Sequence, residues 1–201
     1  MQTNDEAELA VVLEASSPWQ RAAFAVACAQ RLSGLYFKYV EVTGEGESEF
    51  FRHTLASLWE ALEEERDPGA DWQGLAEKAE GLVPPGDAVN VTVWHWFAMD
   101  AMAALVYAIQ VQVDGNVEKA VWAARQASEA VMFYVRQRDH LEIRTEADQD
   151  SPERCPELQE ELTRQRRDID LLSGGAPRKI TLHRLRERAE QARLFDAETV
   201  H

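Results

Sequence analysis

A chain of 201 residues with 45% hydrophobic side chains is the size of one generous domain with a real core, and seven prolines and ten glycines are too few for a disordered chain or a β-meander of many tight turns. Thirty-six acids against 21 bases leave a net charge of −15, which argues against nucleic acid or an anionic membrane surface as the main partner. The balance suits a soluble cytoplasmic protein, or one that meets a basic partner. The opening MQTNDEAELA has neither the basic nor the apolar region of a signal peptide. Cys28 in an alanine-rich run and Cys155 beside a proline make neither a disulfide framework nor a zinc site.

Residues 1–14 carry a short helix, Ala7 to Leu13, with a frayed start. Ser16-Ser17-Pro18 opens the next helix: Ser17 caps, Pro18 fits the first turn and Gln20 completes a capping-box pattern. Trp19, Ala23, Val26, Ala27 and Gln30 follow, and Gly34 is expected to close this helix. Leu35 to Thr43 then reads as a separate short helix, broken at Gly44 to Gly46. Ser48 to Arg66 is amphipathic, with Phe51, Leu55, Leu58, Trp59 and Leu62 inside and Glu63 to Glu65 at a solvated end. Asp67-Pro68-Gly69 is a turn. Asp71 to Glu80 makes a short helix weakened by Gly74.

Asn90 to Val113 is long, nearly uncharged and apolar almost all round, which predicts a buried helix that others wrap. Asn90 is the expected cap and Asp114-Gly115 the stop. A membrane span is disfavoured because His95, Asp100, Gln110 and Gln112 interrupt the run and no basic flank anchors it. Asn116 to Arg138 is its hairpin partner. Asp139 to Pro156 is the most polar stretch and is expected to be a mobile loop. Glu157 to Ser173 and Ile180 to Leu194 are the last helices, and 196–201 is a tail. The fold class is all-α: one domain over 1–201, a multi-helix bundle of about seven to nine helices around a buried central helix at 91–113.

The segments Leu13…Trp19-Gln20…Phe24 with Ala29-Gln30-Arg31-Leu32, then Leu58-Trp59-Glu60, Ala98-Met99-Asp100-Ala101, and late Glu160-Glu161 with Gln165 follow one another in a familiar order. That order resembles the bacterial domain-of-unknown-function family 416, from about Leu13 to Leu194. The chain departs from the family's pattern at Ser33-Gly34-Leu35-Tyr36 and at Leu194-Phe195-Asp196-Ala197. The resemblance implies a helical fold and a soluble bacterial protein, and it carries no established activity.

Arg31, Glu60, Asp100, Glu161 and Gln165 form the main polar set, with Glu161 and Gln165 as i, i+4 neighbours on one helix face. Two carboxylates in a core repel, so Arg31 is expected to neutralise one of them, Asp100 first. The leading reading is a buried network that fixes helix register; the alternative is a cleft lined by these acids. His95 between Trp94 and Trp96 is expected to be partly buried, with these aromatics as candidates for a groove. His53, His95, His140, His183 and His201 are scattered, and a dinuclear carboxylate site would need paired Glu-x-x-His motifs that the sequence does not supply. Neither a metal nor a cofactor is expected. Nucleophile-elbow, P-loop and dinucleotide fingerprints are missing, and no catalytic residue is assigned. Arg178, Lys179, Arg184, Arg186, Arg188 and Arg193 on the last helix are expected to pair with acidic neighbours.

The resulting expectation is a non-enzymatic acidic helical protein that binds another macromolecule, in its most concrete form an inhibitor or immunity-type protein against a basic protein partner. Neither nucleic acid nor membrane is the expected partner, and self-association as a homodimer coexists with this reading. The alternative is a small-ligand binder or enzyme with an acid-lined cleft around Asp100, Glu60 and His95.

Overall fold

The computed structural model describes residues 4–64, 71–86, 91–138, 155–192 and 194–195. These residues form eight helices: α1 (Asn4–Ala15), α2 (Pro18–Thr43), α3 (Ser48–Glu64), α4 (Trp72–Gly81), α5 (Val93–Asp114), α6 (Val117–Arg138), α7 (Pro156–Ser173) and α8 (Arg178–Gln191). The fold is all-α. The expected loop at 139–156 lies outside the described residues except for Cys155 and Pro156. So do the tail at 196–201, the turn at 67–69, Arg193 and the expected cap Asn90.

The largest difference from the sequence reading is at Gly34. It does not end a helix; α2 runs straight through it to Thr43. Gly34 faces open space, so its penalty is only the roughly 1 kcal/mol of a helical glycine. Leu32, Leu35, Tyr36 and Tyr39 on either side are buried on the same helix and outweigh it. The true stop is Gly44, whose φ of 72° is left-handed and whose N–H donates to the Val40 carbonyl at 2.9 Å. At Gly74, inside α4, the absent side chain has a direct use. The Asp71 carboxylate caps its N–H at 2.9 Å, and a Cβ there would sit 2.3 Å from Asp71 Oδ2.

α5 packs against α2, α4 and α6, and α2 also meets α3, α6 and α8. Alanines let these rods approach: Ala22, Ala23, Ala25, Ala27 and Ala29 on α2, and Ala98, Ala101, Ala104 and Ala108 on α5, are all buried. Phe97, Met102, Leu105 and Ile109 are fully covered, each worth about 1.5–3 kcal/mol of burial. Among the described residues α5 is the one helix long and apolar enough to cross a membrane by length and composition. Here its apolar faces are used against neighbouring helices.

Candidate functional site

Glu161, Gln165 and Asp168 recur at spacings of four and three along α7, so they share one face. That face meets Arg31 on α2. Arg31 Nη1 lies 2.5 Å from Asp168 Oδ2, and Nη2 lies 3.2 Å from both Glu161 Oε1 and Cys28 Sγ. Gln165 Nε2 donates to Glu161 Oε1 at 3.0 Å and to the Ala124 carbonyl at 3.1 Å. From the edge, Arg188 approaches Asp168 and Arg164 approaches Glu161, both at 3.6 Å. Arg31, Glu161, Gln165 and Asp168 are all at most 5% exposed. Burial works against the Arg31 charge, but Glu161, Cys28 and Asp168 more than offset it and raise its pKa. Burial also pushes the Cys28 thiol up to about 12, which leaves it an inert side chain. This cluster ties α2 to α7 and α8. Of its members only Gln165 lines the groove described below.

Contrary to the expectation from sequence, Arg31 does not neutralise Asp100. Its partners are Glu161 and Asp168. Asp168 was missed although it stands seven residues after Glu161, one helical repeat along the same face. Glu60 is apart from both Arg31 and Asp100, exposed on α3.

His95 is buried, and its Nδ1 accepts from the Thr92 backbone N–H at 3.0 Å, closing the first turn of α5. That bond places the proton of the neutral ring on Nε2, which lies 3.6 Å from Glu45 Oε2. The Tyr39 hydroxyl donates to the same Glu45 carboxylate at 3.0 Å. His95 is thus a helix cap whose ring packs edge-on against Tyr39, and it does not line the groove described next. Trp94 is buried against Phe97, whereas Trp96 is 42% exposed, with its ring near Phe133.

Trp96 marks one wall of a half-open groove of about 1010 Å³ between α1, α5, α6 and α7. Trp96, Met99, Asp100 and Ala103 line it from α5, at the spacing of a single helical stripe. Arg125, Glu129, Met132 and Arg136 do the same from α6, and Leu158, Leu162 and Ile169 close it from α7. Gln165 reaches its base, while neither Glu60 nor His95 lines it. Arg125 grips the Glu6 carboxylate of α1 with two bonds of 2.7 and 2.8 Å, which fixes α1 along the edge.

Asp100 is the distinctive group. It is half-buried and has no hydrogen-bond or ion-pair partner among the described residues. Burial, and then the charge of Glu129 on α6, push its carboxyl up to about 8. Near neutral pH it is a neutral acid that can donate or accept a hydrogen bond. A cation set against it would draw off its proton. Among the described residues no three His, Cys, Asp or Glu side chains converge as a metal would require, and no histidine or cysteine lines the groove. On α8, Arg178 donates to the Leu62 carbonyl and stacks on Trp19, while Arg186 reaches Glu190 and Glu63.

Residues 9–194 match the family model described as "Protein of unknown function (DUF416)". The chain belongs to the DUF416 family. It is similar to the uncharacterized protein YjaG of Escherichia coli K12, with 25% identity over 170 residues that cover 81% of this chain and 86% of that protein. A crystal structure of a DUF416 family protein from Shewanella baltica OS155 superposes with a TM-score of 0.76 at 21% identity, covering 90% of this chain and 92% of the other. At that identity the likeness shows the fold alone, and the family's description names no activity.

Proposed function

We propose that this protein is a non-enzymatic binding protein of the cytoplasm that takes a segment of a partner protein in the groove between α1, α5, α6 and α7. The observation that carries the reading is the groove itself, about 1010 Å³ and half-open, with Asp100 unpartnered on its α5 wall. Trp96, Met99, Met132 and Phe133 give it adaptable apolar walls of the kind that receive amphipathic segments. The net charge of −15 steers basic partners toward the molecule and repels acidic ones, which suits an inhibitor or immunity-type role.

The test is selection from a random peptide library on the wild-type protein, followed by binding to Ala103→Trp, which fills the groove. Enriched peptides that lose at least tenfold in affinity for the filled variant support the reading. Peptides that bind both proteins equally count against it. A small-ligand site is the second reading, favoured by a volume at the top of the roughly 300–1,000 Å³ range of such pockets. Thermal shifts with small metabolites, abolished by the same substitution, would favour that reading over the first.

A further inference from the structure

We propose that the segment occupying the groove is anchored by a lysine or arginine set between Asp100 of α5 and Glu129 of α6; this rests on the groove being the docking site. Among the described residues the charged groups facing the groove are Glu6 and Glu8 from α1, Asp100 from α5, and Arg125, Glu129 and Arg136 from α6. Arg166 and Asp170 complete the set from α7. Arg125 and Glu6 hold each other bidentately. Of the rest, the acids Glu8, Asp100, Glu129 and Asp170 outnumber the bases Arg136 and Arg166, and Asp100 lies within the field of Glu129, which Arg125 offsets only in part. An anionic occupant would meet these two acids, and two carboxylates fall short of the ligand set a divalent cation needs. A single long cationic side chain fits both the apolar walls and the acid pair. Its methylenes lie along Met99 and Met132, and its charged end reaches the carboxyls.

Docking of that cation changes the protonation of the site. The Asp100 carboxylic acid gives up its proton to solvent, and the carboxylate formed pairs with the ammonium or guanidinium. The balance is one proton released for each occupant bound. Release is expected near pH 7, where the free groove holds Asp100 protonated, and is expected to vanish near pH 9, where the free carboxyl is already ionised.

The experiment uses the full chain and two 12-residue peptide pools biased toward Leu, Met, Phe and Trp. The pools are identical except for one central position, fixed as lysine in one and methionine in the other. Lysine peptides at least tenfold tighter than their methionine counterparts, with that preference lost in Asp100→Asn, are the expected result. Calorimetry at pH 7 in phosphate and in Tris should show about one proton released, and none at pH 9. Peptides of both kinds that bind equally and are blocked by Ala103→Trp would overturn the cation anchor and leave the groove reading standing. Binding that ignores Ala103→Trp, or no binding from either pool, would overturn both.

Discussion

The two acid clusters of this molecule solve the same electrostatic problem in opposite ways. At the α2–α7 junction, Glu161 and Asp168 are buried, and Arg31 sits between them with Gln165 supplying a further donor. In the groove, Asp100 is half-buried and has no cation within ion-pair distance among the described residues. The first arrangement is closed and its charges are paired within the chain, so it holds helices together. The second is open and has no partner among the described residues, which is the basis for proposing one from outside.

Breaking the closed cluster should give the largest effect. Arg31→Ala removes the buried cation that Glu161 and Asp168 share, leaving only Arg164 and Arg188 at the edge, and is expected to lower stability by about 3–5 kcal/mol in urea titration followed by circular dichroism. A loss under about 1 kcal/mol would mean that the cluster does not hold α2 to α7. At the open site the sign reverses. The folded state holds a proton on Asp100 that the unfolded state releases, so stability falls as pH rises from about 4 to about 8 and then levels off. Asp100→Asn should therefore stabilise the protein by about 5 kcal/mol at pH 8 and be close to neutral at pH 4. Urea titrations at the two pH values measure the difference.

Smaller effects sharpen the contrast. Gln165→Ala removes one donor from Glu161 and one from the Ala124 carbonyl, and should cost about 1–2 kcal/mol by the same titration. Glu60→Ala, at an exposed position of α3, should stay within about 0.5 kcal/mol in either direction. A large loss there would mean that Glu60 takes part in a stabilising polar network.

Helical periodicity made much of this legible. It marked the central helix to within a few residues, and it put Glu161 and Gln165 on one face. Periodicity says which residues share a face, however, and not which faces meet. Arg31 and Asp100 are each consistent with an inward position on their own helices, yet they point into different spaces. Asp168 was hidden for a local reason: it follows Arg166-Arg167, both exposed, and reads as part of a solvated run. The His95 cap was hidden because glutamate or glutamine is the usual residue three positions after a capping threonine. Gly34 is a local breaker signal that the burial of Leu32, Leu35 and Tyr36 on either side overrides.

The most direct measurement is the titration of the Asp100 side-chain carboxyl by carbon-13 NMR in the free protein, assigned with Asp100→Asn. A midpoint near 8 is expected for a carboxyl held without a partner against the apolar groove. A midpoint near the ordinary 3.8 would mean that Asp100 is well solvated or already paired, and the groove would lose its vacant anchor.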